Sequence, residues 1–171
     1  VILDDVSPVI NVIDKVGIDR KIAERGSYLN GLEIGSHRGR SAALLLGNYE
    51  NLILHMVDSW CEHDINSEYS KSGDSVAKLS QEEQEANYQE AIRATMPWAR
   101  KRIVYRLTSE RAAGRLGMMF DFVFVDGDHT YSGCNLDITL FWPKVHQGGV
   151  MIFHDYTHKR NESGKFGVKR A

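Results

Sequence analysis

Cysteine is scarce in this 171-residue sequence: Cys61 and Cys134 are the only two, and neither stands in a CxxC or a zinc-type spacing. That excludes a disulfide scaffold and a zinc ribbon, and we expect a reduced, cytoplasmic protein. Proline is scarcer than glycine, 3 against 15, which excludes a Pro-rich linker protein. No apolar run reaches the roughly 18 residues that span a bilayer. The opening VILDDVSPVINVIDK carries acids where a secretion signal carries basic residues. We therefore expect no targeting segment and no membrane partner. Surplus positive charge is missing too: 21 Lys and Arg against 23 Asp and Glu give a net charge of −2. That is no footprint for a phosphate backbone, so no nucleic-acid partner is expected. Repeats at solenoid periods are absent as well.

What is present is ordinary globular material, 42% hydrophobic and 26% charged. The length predicts one domain over 1–171, large enough to bury about 70% of its unfolded surface. The chain begins at Val and ends in GVKRA, from which we expect a piece of a longer product, a point that intact mass tests.

Along the chain, helical spacing over 5–15 and 18–25 predicts an N-terminal helical cover within residues 1–26. A strand over 28–34 leads through a Gly-rich turn into the apolar helix SAALLLGN, and LILHMVD at 52–58 reads as a buried strand. The polar, Ser-rich stretch 61–81 reads as a loop or substrate lid. A helix over 82–96 follows, closed by Pro97. Strands are expected at 101–107, 120–126 and 148–155, the last introduced by a Gly-Gly turn, with helices over 109–116 and 131–145 between them. Alternation of this kind predicts an α/β fold: a Rossmann-like, doubly wound, mostly parallel sheet with helices on both faces. Ligands of such sheets bind at the carboxyl ends of the strands. The chemically interesting residues fall there: Glu33, Gly35, Asp58, Ser109, Asp126, Asp128, His129, His154 and Asp155.

The sharpest motif is LEIGSHRGRS at 32–41, where an acid ends the first strand and Gly35 and Gly39 frame the turn into a helix. Glycine admits close backbone approach, and the helix N-terminus offers free amide donors. Ser36 and His37 occupy places where the GxGxxG of a dinucleotide site wants bare backbone, and Glu33 repels phosphate. The same acid suits an ammonium group. Asp58 ends the second strand 23 residues after Gly35 and can accept both hydroxyls of a ribose. Adenosine joined to a cationic amino acid describes S-adenosylmethionine.

With these residues, and with FDFVFVDGDHTYSGCNLDITLFWPKVHQGGVMIFHDY, the chain resembles class I S-adenosylmethionine-dependent methyltransferases, in particular the small-molecule O-methyltransferase-like methyltransferase family 24, over residues 27–171. The resemblance implies that Glu33, Gly35, Ser36, Gly39 and Ser41 surround the methionine part of the cofactor and that Asp58 holds the ribose. It places Ser59 and Trp60 beside the adenosine, and Ser109 with Glu110 at the adenine. In the metal-dependent relatives the acid ending the fourth strand and the two residues ending the fifth bind a divalent ion. The corresponding residues are Asp126, His154 and Asp155, and Asp126 borders the cofactor too. Carboxylates favour Mg²⁺, Ca²⁺ or Mn²⁺, and a His among them leans toward Mn²⁺, Fe²⁺ or Zn²⁺. His129 stands where that group has its catalytic base and, with Asp126, makes the expected catalytic pair.

Adjacent strands ending in Asp126 and Asp155 independently call for a cation or proton between the two acids. DGDHT is equally a turn and helix-cap sequence, with Asp128 and His129 as the caps. His37 reads as a spacer and His55 as a core residue, His63, His146 and His158 as surface residues, and Trp98 and Trp142 as core. The expected activity is methyl transfer to a hydroxyl or amine of a small molecule such as a sugar or natural product. The competing readings are a nicotinamide-dependent oxidoreductase and a non-catalytic cofactor-binding module. The family pattern continues past GVKRA into a last helix and an antiparallel strand pair that this chain lacks. We therefore expect the fifth strand to be an edge that missing residues or a second copy of the chain, in a homo-oligomer, covers.

Overall fold

The computed structural model of the protein describes residues 7–17, 27–156 and 165–171. Helix α1 covers Ser7–Val16, and the second helix expected at 18–25 lies outside the described residues. From there the chain alternates: β1 Leu29–Ile34, α2 Arg40–Asn48, β2 Leu52–Asp58, α3 Glu68–Lys71, α4 Gln81–Ala94, β3 Arg102–Arg106, α5 Ser109–Arg115, β4 Phe120–Val125, α6 Tyr131–Phe141 and β5 Val145–Phe153. The five strands form one all-parallel sheet in the order β3-β2-β1-β4-β5. This is the predicted Rossmann-like α/β architecture. No helix among the described residues is long and apolar enough to cross a membrane.

The central strands β2, β1 and β4 are buried on both faces, so their sequences read as nearly continuous apolar runs rather than alternations. On one face Leu29, Leu52, Leu54, Met56, Phe122 and Phe124 pack against Ala42, Leu45 and Leu46 of α2, Ala91 of α4 and Ile13 of α1. On the other, Leu32, Ile34, Val57, Val123 and Val125 pack against Ala112 and Leu116 around α5 and Phe141 of α6. Each fully buried Leu or Phe contributes up to about 1.5–3 kcal/mol. The two-residue period of β1 puts Leu32 and Ile34 on the second face and sends Glu33 to the first, toward α2.

His55 is the exception in β2, and it is a packed core residue. Its ring stacks on Tyr105, meets Phe120 edge-on, and its Nδ1 lies 3.1 Å from the Tyr105 hydroxyl. Trp98 packs against the core of the first face as expected. Trp142 does not: it is 59% exposed, in the short 3₁₀ turn Trp142–Lys144 after α6.

Three boundaries depart from expectation. Segment 61–81 is ordered into α3 and a 3₁₀ turn, Val76–Lys78, rather than left as loop. Helix α4 starts at Gln81 because Ser80 and Glu83 form a capping box, with the Ser80 N–H donating to Glu83 Oε2 at 2.8 Å. Strand β5 begins three residues before the Gly-Gly pair. Gly148, at φ +85, sits inside the strand where the register against β4 shifts, so the pair makes a bulge and not an entry turn.

Candidate functional site

In a parallel sheet the chain leaves β1 and β4 in opposite directions, which opens a crevice beyond their carboxyl ends. Here that crevice is a cavity of about 620 Å³, bordered by Gly35, Asp58, Ser109, Asp126 and their neighbours. The backbone that frames it is tight. Gly35 takes φ +85, and a Cβ there would overlap the carbonyl of Asp126 across the strand ends. Gly39, at φ +71, precedes α2, and its Cβ would lie 2.9 Å from Ala91 Cα. Both glycines therefore serve the approach of one part of the chain to another.

Among the described residues, three non-glycine residues, His37, Trp60 and Asp155, hold positive φ values of 44, 43 and 56, each just past a strand end. Left-handed backbone at non-glycine residues is uncommon and concentrates at functional sites.

Asp58 ties two of these turns together. Its Oδ2 accepts the His37 N–H and its Oδ1 the Trp60 N–H, both at 2.8 Å. Burial raises its pKa, and the two amide donors work in the opposite direction. His37 is more than a spacer: it lines the cavity, and its Nε2 is buried without a hydrogen-bond partner. Burial lowers its pKa, so the ring is neutral around pH 7.

Not every expected residue faces the cavity. Ser59 and Ser109 line it, with Glu110 beside them. Trp60 is fully buried instead: its ring meets Tyr88 edge-on, and its Nε1–H donates to the His37 carbonyl at 2.7 Å. Glu33 is fully buried behind the turn, takes a hydrogen bond from the Ser41 hydroxyl, and has its pKa pushed up by burial to about 7. Ser36 is buried beside it. Glu33, Ser36, Gly39 and Ser41 thus shape the turn from below, and of the residues expected at the methionine and ribose parts Gly35 and Asp58 border the cavity.

The wall is strongly one-signed. Among the described residues, seven carboxyl-bearing residues line it, with four histidines and no Lys or Arg. Two of the acids, Asp74 and Asp137, are buried. Burial pushes Asp137 up to about 7, against a hydrogen bond from Ser109.

The densest part is a cluster around Asp126. Asp126 Oδ1 lies 3.2 Å from His129 Nε2 and 3.1 Å from His154 Nδ1. Asp155 follows, with Oδ1 3.3 Å from His154 Nδ1 and Oδ2 3.5 Å from His129 Nε2. On the far side of the imidazole, His129 Nδ1 meets Asp74 Oδ2 at 2.9 Å. Burial opposes the charged ring of His129, but its bonds to Asp126 and Asp74 prevail and push the pKa up to about 9. Bonds to Asp126 and Asp155 push His154 up to about 10. His129 does not cap the following helix. That duty falls to Thr130, whose hydroxyl accepts the Gly133 N–H at 3.1 Å, while Asp128 accepts the Thr130 N–H at 2.9 Å.

Two segments close over the cluster: the stretch 61–81, which reads from the sequence as a loop or substrate lid, and a C-terminal segment that no motif announces. From 61–81 come His63, Tyr69, Asp74 and Val76 in the cavity wall, so His63 is a wall residue and not simply a surface one. From the C-terminal part, Phe166 stacks on the His129 ring at 4.9 Å between centroids, and the Gly167 N–H donates to the His129 carbonyl at 2.8 Å. His158 lies outside the described residues, and His146 is exposed.

A family model described as a methyltransferase domain, methyltransferase family 24, matches residues 32–156. No curated protein matches the chain. The match covers more than half of the sequence, and the chain belongs to this family of methyltransferases.

Proposed function

We propose that this methyltransferase moves the methyl group of S-adenosylmethionine onto a hydroxyl, or an amine, of a small molecule bound under the 61–81 segment. The observation that carries the reading is the one-signed cavity at the β1–β4 switch point: among the described residues its wall holds seven carboxyl groups, four imidazoles and no Lys or Arg. Such a wall favours a ligand that is cationic at its sulfonium and ammonium. It disfavours the pyrophosphate of a nicotinamide dinucleotide, which wants bare amides and positive charge, so the oxidoreductase reading loses its support.

The residues present fit the methyl donor. Asp58 borders the cavity with lone pairs to spare for ribose hydroxyls, Ser59 and Ser109 offer hydroxyls at the adenosine end, and the unpartnered His37 Nε2 offers a polar contact in the same wall. The donor supplies an already activated methyl, so the chain's task is mainly alignment and water exclusion. The acceptor's proton passes to a carboxylate oxygen of the cluster, of Asp126 or Asp155, both of which line the cavity. A divalent ion, which the resemblance implies, fits this cluster because its donors converge: Asp126, His129 and His154 each offer one ligand atom, all within 4.8 Å of one another. Such an ion supplies a Lewis acid that makes a hydroxyl easier to deprotonate.

The direct test is methyl transfer from radiolabelled S-adenosylmethionine across a panel of sugars, phenols and amines, with and without Mn²⁺. Label in an O- or N-methylated product supports the reading. Binding of the donor product with no transfer to any acceptor favours a non-catalytic module.

A further inference from the structure

We propose that a second cavity, formed within the 61–81 segment itself, binds an anionic group carried on an apolar body, and that this is the acid-bearing end of the methyl acceptor. The part about the acceptor rests on the proposed function and deepens it by naming the substrate class. These are small molecules with a carboxylate or a phosphate at the end away from the methylated hydroxyl or amine.

The first observation is the cavity. It measures about 420 Å³, within the range of small-molecule sites. One buried side chain fastens its frame. The Ser70 hydroxyl donates to the Asp64 carbonyl at 2.8 Å and lies 3.2 Å from the Ala77 carbonyl, which ties the chain before α3 to the 3₁₀ turn after it.

The second is the lining. Ile65, Ala77 and Leu79 give it an apolar surface, and Ile65 is 81% exposed although its side chain is large and aliphatic. Lys71 and Lys78 line the same space, and neither ammonium has a hydrogen bond or an ion pair among the described residues. Against these two, Glu62 is the carboxylate of the lining among the described residues, which leaves a positive surplus. Apolar surface beside unpaired ammonium groups fits an amphipathic anion: covering Ile65 drives binding, and the lysines fix the orientation.

The third is the contrast with the neighbouring cavity. His63 lines both, and successive residues of the segment divide between them: Tyr69 and Val76 line the switch-point cavity, Ser70 and Ala77 the second one. Among the described residues the switch-point wall holds seven carboxyl groups and no Lys or Arg, so it repels an anion. An acidic acceptor finds its counter-charge on the lysine side, with its reactive end past His63 toward the donor.

The test follows the amide and His63 ring NMR signals of the full chain on titration with benzoate, phenyl phosphate and, as the uncharged control, benzamide. The two anions are expected to move the amides of 62–79 and the His63 ring, and the tighter of the two tells a carboxylate site from a phosphate site. Benzamide is expected to bind at least about tenfold more weakly. Lys71→Gln combined with Lys78→Gln is expected to weaken the anions by at least about tenfold and to keep S-adenosylhomocysteine affinity, whereas arginine at both positions keeps most of the anion binding. Both lysines are exposed, so neither pair of changes threatens the fold.

Shifts confined to residues outside 62–79, benzamide binding as tightly as benzoate, or anion affinity unmoved in the glutamine variant overturns the site. In the transfer panel each acidic acceptor is paired with an uncharged analogue. Label is expected in the acids, with KM raised by at least about tenfold in the glutamine variant, and label confined to the uncharged analogues overturns the acceptor role. S-adenosylhomocysteine failing to bind while the anions map to 62–79 contradicts the methyltransferase reading and leaves the site standing. S-adenosylhomocysteine binding with no anion shifts contradicts the site alone.

Discussion

Asp74 Oδ2 and His129 Nδ1 meet at 2.9 Å across 55 residues of sequence, and both side chains are buried. The contact joins the segment after β2 to the segment after β4, and with the Ser132 hydroxyl donating to Glu68 Oε2 at 2.7 Å it holds 61–81 against the mouth of the cavity. Hydrogen bonds with a charged partner contribute about 1.5–3 kcal/mol. Asp74→Ala is accordingly expected to raise amide hydrogen exchange across residues 64–79 while β1, β2 and β4 keep their protection. Uniform exchange across the whole chain, or no change in the segment, counts against a local latch.

Asp58 takes two backbone amides, from His37 and Trp60. Asp58→Ala leaves both donors without that acceptor, at about 1–3 kcal/mol each when buried, and removes the ribose acceptor in the proposed function. We expect a loss of S-adenosylhomocysteine affinity of more than tenfold and a lower Tm, with Asp58→Asn intermediate because its one carbonyl oxygen can serve only one of the two turns well. Calorimetric titration and thermal melts check this.

Gly35 cannot be replaced. Its φ of +85 disfavours any side chain, and a Cβ would strike the Asp126 carbonyl, which is backbone and cannot step aside. Gly35→Ala is expected to destabilise the fold by more than about 2 kcal/mol, whereas Gly117→Ala, with nothing near its Cβ, is expected to be nearly neutral. Denaturant midpoints of the two variants measure the difference.

Glu33 and Asp137 both have folded-state pKa values pushed up to about 7 by burial. A carboxyl with a raised folded pKa binds more protons folded than unfolded between its two pKa values, so stability falls as pH rises through that window. The chain should lose stability from about pH 4.5 to pH 7, by up to roughly 3 kcal/mol for Glu33 alone. Glu33→Gln, which keeps an acceptor for the Ser41 hydroxyl, should flatten the slope. A stability profile unchanged by Glu33→Gln would show that Glu33 ionises normally in the folded state.

Without metal, His129 and His154 have pKa values of about 9 and about 10, so both rings are protonated at pH 7.5. A metal needs neutral imidazole, and its binding must therefore expel protons. Calorimetry of Zn²⁺ binding in buffers of different ionisation heat should give close to two protons released per ion. Release near zero contradicts histidine ligation.

The sheet was legible because strands buried on both faces leave runs such as LILHMVD and FDFVFV, and the helices between them fixed the parallel order. Asp58, Asp126, His154 and Asp155 were legible because strand ends in such a sheet are where ligands bind. Glu33 reads as a partner for the ammonium of the cofactor, but the two-residue period of β1 turns it to the α2 face, where it is fully buried. The resemblance implies a place beside the adenosine for Trp60, yet the residue takes left-handed backbone and its ring is buried in the core. Asp74 and Phe166 carry no local pattern. They reach His129 only through tertiary folding, one from a Ser-rich stretch and one from the far end of the chain, and no spacing along the sequence encodes such a meeting. Trp142 misled through composition: a tryptophan is usually buried, and this one follows α6 on an outer turn.

The central claim is that the acidic cavity at the β1–β4 switch point holds S-adenosylmethionine. Calorimetric titration of S-adenosylhomocysteine and, in parallel, NADH into the full chain tests it most directly. The account predicts one-to-one binding of S-adenosylhomocysteine in the micromolar range, lost in Asp58→Ala, and no heat from NADH. Binding of NADH with none of S-adenosylhomocysteine would contradict it.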